Sequence, residues 1–405
     1  MRFDTIVVGG GTAGCIVASR LSAEPRRTVC LLEAGPDYGP YADGRWPPEL
    51  LDARSLPFTH VWESEDEERT KARARVLGGG SAMNACYLMV GPPSDYEWGG
   101  DWTWPGLEPH AEQARESFRA RTATEADFHP WHRALLEAGA STGAQVEPAT
   151  LNAVDLLRWN AAFAYIDPAR ERPNLTIRAG TIVDRIDPPH VRLVDGETLE
   201  GDLIVLCAGA YGTPTILLRS GVDAGDGLQD HPGVRLQWPD AHQPAEALLS
   251  TVVLHAPDDL LLFTTTDGVA RSANVFSMAP ASHGSVKLRS RDRLDPPAID
   301  QGFVAETDVK KLVKGIELLR DLLGPETIPG PEPDLDRYVR ETVRGFFHPV
   351  GTAALGRVAD ERGYVIGVDA LAVADASFVP RIPRAPTNLT VAAVAEKLAA
   401  SLAAT

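Results

Sequence analysis

Hydrophobic residues at the start of the chain follow the pattern of a strand–helix–strand unit. The run DTIVV at 4–8 predicts a buried strand, GGGTAG predicts a tight loop, and CIVASRLSAE at 15–24 predicts an amphipathic helix. TVCLLEAG at 28–35 then predicts a second strand. Because two strands joined through a helix are normally parallel, we expect an α/β fold with a parallel sheet.

Later segments return the chain to this sheet. NLTIRAGTIVDRI at 174–186 and HVRLVDGETLEGDLIVLCAGA at 190–210 alternate like short strands, with a DG turn and a buried last strand. NLTVAAVAEKLAASLA at 388–403 has the apolar content of a buried terminal helix.

A second lobe is predicted by a different pattern. Between about 236 and 290, the runs STVVLHAP, DLLLFTTT, NVFSMAP and GSVKLRS are four β-type segments separated by turn signals, which predicts an antiparallel sheet. Helical patterns at 107–119 and 130–143 predict a cap beside it, and a further helix is predicted at 305–323.

Composition narrows the class of protein. The 405 residues could form one large domain but favour two interlocked ones, because single cores stop growing at roughly 250 to 300 residues. A content of 44% hydrophobic and 23% charged residues is typical of a globular protein. The net charge of −17 disfavours nucleic acid and anionic membranes, so we expect small-molecule partners. The start of the chain resembles no secretory signal, which favours a cytoplasmic location, and the cysteine spacing predicts core thiols rather than a metal site.

Gly9, Gly11 and Gly14 form a GxGxxG loop between the first strand and helix, the context of a pyrophosphate-binding turn. Glu33 ends the second strand about 20 residues later, where a carboxylate can accept hydrogen bonds from ribose hydroxyls. This pattern alone leaves NAD and FAD open, because both contain the same ADP group.

Five further segments occur in the order of one known family. They are RVLGGGSAMNACY at 75–87, AGAYGTPTILLRSGV at 208–222, LQDHP at 228–232, FFHPVGTAALG at 346–356, and DASFVP followed by APTNLTVAAVAEK at 375–397. Together they resemble the signatures of the glucose-methanol-choline oxidoreductases, although Asp223 stands where the second signature normally has glycine and the chain is short for the family.

The resemblance implies FAD as cofactor and a discontinuous FAD-binding domain formed by 1–95, 155–235 and 340–405, with 96–154 and 236–339 as the cap and substrate-binding domain. Met83 stands where some members link FAD covalently through histidine, so we expect noncovalent FAD. Besides the three glycines and Glu33, the implied cofactor-binding residues are Thr12, Ala13, Ala34, Val76, Gly79, Gly80, Ser81, Asn84, Ala85, Cys86, Tyr87, Val183, Ala208, Asp375, Ala376, Leu389 and Thr390.

The resemblance also names His348 and Asn388 as the catalytic pair. A neutral histidine can accept the hydroxyl proton of an alcohol, and an asparagine amide can donate a hydrogen bond to the developing alkoxide. A satisfied core histidine is the structural alternative for His348. Asn388 is also expected to cap the terminal helix, a role that is compatible with catalysis. We expect His231 to be structural, and the pairs His129/His132 and Asp360/Glu361 to lie on the surface.

The expected activity is oxidation of an alcohol to an aldehyde or ketone. Oxygen, a quinone or a peptide-derived carrier remain open as electron acceptor, and the substrate alcohol stays open as well. An FAD-containing lyase that cleaves cyanohydrins on the same fold is the alternative enzyme class, and a redox-silent flavin-binding protein is a third.

Overall fold

A sheet with a parallel centre forms the first lobe of the computed structural model, which describes residues 1–62, 71–239, 247–266, 270–290, 292, 295–303, 305–324, 328 and 334–404. Neighbouring strands lie in the order Leu175–Arg178, Val29–Leu32, Arg2–Val8, Thr198–Leu206, His190–Leu193 and Val183–Asp187, with Leu371–Val373 paired to the far end of Thr198–Leu206. Within this sheet of the described chain, the strand at 190–193 pairs antiparallel with both of its neighbours, 183–187 and 198–206, and the other pairs are parallel. The predicted parallel α/β lobe is confirmed.

Two helices cover one another beside this sheet. The first helix, Thr12–Leu21, packs against the terminal helix, Asn388–Ala403, and the apolar faces of both are buried. Their burial follows from sequence, because both helices are rich in alanine and aliphatic residues that allow close approach.

The helix predicted at 107–119 forms at Trp104–Ser117 but takes a different partner. Its buried face, Leu107, Ala111 and Ala114, packs against the terminal helix rather than over the second sheet. The helix predicted at 130–143 forms at Pro130–Thr142 and does pack on the second sheet. The two helices that were expected to form one cap therefore belong to different cores.

The second lobe contains an antiparallel sheet. Its strands lie in the order Arg344–Gly345, Pro232–Pro239, Ala270–Ser277, Leu260–Thr266, Val252–Ala256 and Gln145–Pro148. The helix Glu306–Leu323 packs on it through an apolar face at helical spacing, Val309, Leu312, Ile316 and Leu319. Three of the four predicted β runs form here.

The fourth run is placed differently. Gly284–Lys287 pairs with Asp226–Leu228 and Ala298–Asp300 in a separate three-stranded sheet. A periodic pattern predicts a strand but does not specify its partner. The remaining α-helices of the described chain are Pro48–Leu51, Gly209–Arg219 and Leu335–Thr342. Two short strand pairs are Arg121–Thr122 with Thr150–Leu151 and Ala153–Val154 with Leu157–Arg158.

The prediction that His129 and His132 lie on the surface is wrong. His129 is 1% exposed and caps the helix at 130–142 by accepting a hydrogen bond from the Trp131 amide. His132 is fully buried, with Nδ1 2.8 Å from the Thr251 hydroxyl. Asp360 and Glu361 are exposed as expected, and the four cysteines are buried free thiols. Within the described ranges, no helix is both long and apolar enough to cross a membrane.

Candidate active site

The first glycine loop joins the first strand to the first helix at very close range. A Cβ atom at Gly14 would lie 1.7 Å from the carbonyl oxygen of Gly9, and Gly9 itself has a φ of +100°. Glycine is therefore required at both positions. The first amide groups of the helix lie at this loop. Free N–H groups and the positive end of the helix dipole favour binding of a phosphate group there.

Glu33 is held beside this loop by two backbone amides. Its Oε2 accepts from the Gly10 amide at 2.8 Å, and its Oε1 accepts from the Gly35 amide at 2.7 Å. Burial raises the pKa of Glu33, while the hydrogen bonds from Gly35 and Gly10 oppose that rise. The carboxylate is thus fixed at the carboxyl end of the second strand, the position of a ribose acceptor.

A second glycine loop contacts the first. A Cβ at Gly79 would lie 2.5 Å from the Cα of Gly11, so the two loops touch through their backbones. Ser81 stabilises the turn by donating to the Gly78 carbonyl at 2.6 Å and accepting from the Ala161 amide at 2.9 Å.

Arg158 supports this second loop and was missed from sequence. It is fully buried and donates to the carbonyl oxygens of Asn84 at 2.9 Å, Leu50 at 2.8 Å and Ser55 at 2.5 Å. The sequence offers no signal for this role, since an arginine before a tryptophan is ordinarily a surface residue.

The histidine loop lies between Phe346 and Val350, and the backbone of each of these two residues is held by hydrogen bonds. The Phe346 amide donates to the His231 carbonyl at 3.0 Å, and Val350 exchanges backbone bonds with Gln229. Between these ends, Phe347 has a φ of +62°, and the His348 amide donates to Oδ1 of Asp230 at 2.9 Å. His348 is half-buried at the tip of this loop.

Three consecutive side chains of the LQDHP segment hold this loop and a second one. Gln229 donates to the Pro380 carbonyl and accepts from the Ile382 amide, each at 3.1 Å. Asp230 binds the amides of residues 231 and 348, and Arg73 lies 3.9 Å from its other oxygen. Burial raises the pKa of Asp230 to about 6, opposed first by Arg73. The segment was recognised in the sequence, but the roles of Gln229, Asp230 and Arg73 were not.

His231 lies directly against His348. The two Nδ1 atoms are 3.1 Å apart, and Nε2 of His231 lies 3.0 Å from the Pro383 carbonyl oxygen. Burial lowers the pKa of His231 to about 3. Burial, His231 and Arg73 together hold the pKa of His348 well below its usual value, so both rings are neutral at ordinary pH.

Asn388 is the first residue of the terminal helix, not its cap. The N-cap is Thr387, whose side chain makes no capping bond within the described structure. Oδ1 of Asn388 accepts from the Thr12 hydroxyl at 2.8 Å, while its Nδ2 is buried and has no hydrogen-bond partner among the described residues. The expected capping role of Asn388 is therefore wrong, and one amide donor of its side chain remains available.

Other predicted residues have protein partners of their own. Asp375 accepts from the Gly209 amide at 2.8 Å and from the Thr213 hydroxyl at 2.5 Å, which ties it to the helix at 209–219. The Thr390 hydroxyl pairs with Tyr96 at 3.1 Å. The Tyr87 hydroxyl pairs with Ser250 at 2.6 Å in the second core.

The remaining predicted cofactor residues lie on or next to the two glycine loops, or close to the ends of nearby strands and helices. These residues are Ala13, Ala34, Val76, Gly80, Asn84, Ala85, Cys86, Val183, Ala208, Ala376 and Leu389.

These residues fit a dinucleotide cofactor such as FAD. Glu33 supplies a fixed acceptor, and a Cβ at Gly80 would meet no atom of the described chain within 4 Å, so this turn borders open space. The unpaired Nδ2 of Asn388 supplies a donor. The fold and site define a two-lobed protein whose first lobe is built for a dinucleotide.

Comparisons with known proteins specify the family. Family models described as GMC oxidoreductase match residues 3–233 and 280–395. The chain belongs to the GMC oxidoreductase family, which makes it an oxidoreductase and implies that it binds FAD.

Similar proteins cover nearly the whole chain. A GMC-type oxidoreductase of Rhodococcus erythropolis is 32% identical, with 98% of each chain covered. Choline oxidase of Arthrobacter globiformis is 29% identical, with 98% of this chain and 94% of the relative covered. Pyridoxine 4-oxidase from Mesorbium loti is similar in structure, with a TM-score of 0.84, 25% identity and 98% of each chain covered.

Proposed function

We propose that the protein oxidises the CH–OH group of a small-molecule alcohol to an aldehyde or ketone, with noncovalently bound FAD. His348 is the base, and Asn388 donates a hydrogen bond to the substrate oxygen. Family membership supports alcohol oxidation in general, and two of the similar proteins are named as oxidases of molecules with hydroxyl groups, choline and pyridoxine.

The proposal rests on the neutral ring of His348 and the unpaired side-chain donor of Asn388. His348 is neutral in a loop whose backbone is fixed at both ends, so it can take up a proton. Nδ2 of Asn388 is a buried donor without a protein partner in the described chain. An unpaired buried donor costs about 1–3 kcal/mol, and a bound oxygen atom would relieve that cost.

Each part of the chain has a distinct task in this proposal. The glycine loops and Glu33 hold the cofactor, Asn388 orients the substrate oxygen, and Nε2 of His348 receives the hydroxyl proton. FAD, when bound, supplies the acceptor for the hydride that leaves the carbinol carbon. Met83 precedes Asn84 in place of a linking histidine, which supports noncovalent binding.

Anaerobic mixing with primary, secondary, aromatic and sugar alcohols tests the proposal. We expect at least one alcohol to bleach the flavin absorbance, and air or an artificial acceptor to restore it. Cleavage of a cyanohydrin without any change in the flavin spectrum would identify the lyase instead. If no alcohol of the panel bleaches the flavin, the result contradicts the proposal and favours a redox-silent flavin-binding protein.

The electron acceptor is tested in the same preparation. Oxygen and an artificial acceptor are each mixed with the alcohol-reduced protein, and the return of the flavin absorbance is timed. Rapid return with air identifies an oxidase, whereas rapid return with the artificial acceptor alone identifies a dehydrogenase.

A further inference from the structure

The hydrogen bond between His231 and Pro383 assigns the ring proton of His231. The carbonyl oxygen of Pro383 can only accept, so Nε2 of His231, 3.0 Å away, must carry hydrogen. A neutral imidazole carries hydrogen on only one of its two ring nitrogens, so Nδ1 of His231 is an acceptor.

A doubly protonated His231 would reverse this assignment, but its surroundings oppose that state. The side chain is fully buried, and burial lowers its pKa to about 3. His231 therefore stays neutral across the pH range in which flavoenzymes are usually assayed.

Because the two rings are in contact, the position of the proton on His231 determines its position on His348. Nδ1 of His231 accepts, so Nδ1 of His348, 3.1 Å away, has to donate. A neutral His348 with hydrogen on Nδ1 has its free lone pair on Nε2. The two rings are nearly perpendicular, at 89°, with their centroids 5.3 Å apart.

We infer that His231 is a positioning residue that fixes the tautomer of His348 and leaves Nε2 as the single basic atom of that ring. The inference rests on the proposed role of His348 as base. In the proton transfer, the substrate O–H bond breaks and an Nε2–H bond forms. The resulting imidazolium keeps its Nδ1–H bond directed at His231.

The charged groups around the pair do not compete for Nδ1 of His348. Oδ1 of Asp230 accepts from the backbone amides of His231 and His348, at 2.8 and 2.9 Å. Its other oxygen faces Arg73 and the amide of Gln301. Arg73 also lies over the ring of Tyr211, 4.5 Å from its centroid. Phe346 packs against the His348 ring at 4.3 Å and offers no hydrogen-bonding group.

Nitrogen NMR of the FAD-loaded protein with labelled histidine tests the assignment without any substrate. Protonated and unprotonated ring nitrogens have well separated chemical shifts, and the spectrum of His348→Gln identifies the signals of His348. We expect hydrogen on Nδ1 and none on Nε2. Hydrogen on Nε2 of His348 in the wild-type protein would overturn the inference.

Two variants of His231 test the consequence for rate. His231→Phe keeps a ring of similar size but can neither accept nor donate, so we expect a mixed tautomer and slower flavin reduction at saturating alcohol. The expected loss lies between about 10-fold and 10⁴-fold, the range for lost support or a wrong tautomer of a functional histidine. Alcohol affinity should change less than this rate.

His231→Asn is the conservative variant, because its side-chain oxygen can accept near the position of Nδ1. We expect it to recover part of the rate that His231→Phe loses. A rate no higher than that of His231→Phe contradicts the acceptor role, as does a wild-type rate in His231→Phe. If His231→Phe does not bind FAD, the wild-type spectrum decides.

The same measurements separate this inference from the proposed function. If hydrogen is found on Nδ1 of His348 but no alcohol reduces the flavin, the tautomer assignment stands and the proposed reaction is wrong. If the protein oxidises alcohols but hydrogen is found on Nε2 of His348, the proposed reaction stands and the role of His231 is wrong.

Discussion

The Thr12 hydroxyl donates to Oδ1 of Asn388 over 2.8 Å and so joins the first turns of two helices from opposite ends of the chain. In this arrangement Oδ1 of the amide accepts, and Nδ2 is the free donor. It also places two helix starts side by side, and their dipoles favour negative charge at this point. A developing alkoxide is such a charge.

Removing the imidazole of His348 separates folding from chemistry. We expect His348→Ala to fold and bind FAD, but anaerobic flavin reduction by a good alcohol should slow by about 10² to 10⁴, the usual contribution of a positioned base. Stopped-flow absorbance measures the rate. His283→Ala, which changes an exposed histidine, is the matched control. A near-normal rate with a lowered melting temperature would indicate a purely structural histidine.

Asn388 and His348 should act on the same transition state. Asn388→Ala should slow reduction because the substrate oxygen loses its donor, and the double variant should lose less than the product of the two single effects. The four reduction rates of this cycle are measured under one set of conditions. Strict multiplicativity of the two effects would argue against a shared alkoxide-like state.

The acid limb of the pH–rate profile for flavin reduction should lie at a pH below the usual pKa range of histidine. His348 must be neutral to accept a proton, and its pKa is held well below 6.5 by burial, His231 and Arg73. The reduction rate should therefore stay constant as pH falls through 6.5 and decline only at lower pH. The same depressed pKa contributes stability above 6.5 that is lost as the pH falls. A midpoint near 6.5 in the rate profile contradicts this prediction.

Changing Glu33 to Gln should weaken FAD binding. The amide nitrogen would face either the Gly10 or the Gly35 amide, and the charge-assisted bonds to the ribose, worth roughly 1.5 to 3 kcal/mol, would be lost. Flavin fluorescence titration of the apoprotein measures the affinity. Glu108→Gln on an exposed helix face is the control. Equal FAD affinity in both variants would remove Glu33 from the site.

FAD should leave the protein when it unfolds. Met83 offers no site for a covalent flavin link, so acid or heat denaturation should place all the yellow colour in the supernatant. Absorbance of the supernatant and the redissolved pellet measures the distribution. Colour retained on the precipitated chain would show a covalent link at another residue.

Local patterns predicted much of the first lobe, because its elements are periodic and their boundaries are marked by glycine. The terminal helix at 388–403 forms with the bounds expected from its apolar content. The pairing of Gly284–Lys287 and the packing of Trp104–Ser117 could not be predicted in this way, because both depend on partners distant in sequence.

The site divides along the same line. Gly9, Gly14 and Glu33 were predicted from a local motif, three glycines between a strand and a helix with an acidic residue at the end of the next strand. The bond from the His348 amide to Asp230 spans 118 positions, and no local pattern indicates it. The burial of His132 likewise depends on Thr251, 119 positions away.

Gln229, Asp230 and His231 lie between the strands at 226–228 and 232–239, and their consecutive side chains reach different partners. One reaches the 380–382 backbone, one the histidine loop, and one both the His348 ring and Pro383. A protein engineer who transplants the His348/Asn388 pair into another scaffold would therefore have to transplant this tripeptide as well. A one-residue insertion there would shift all three side chains at once.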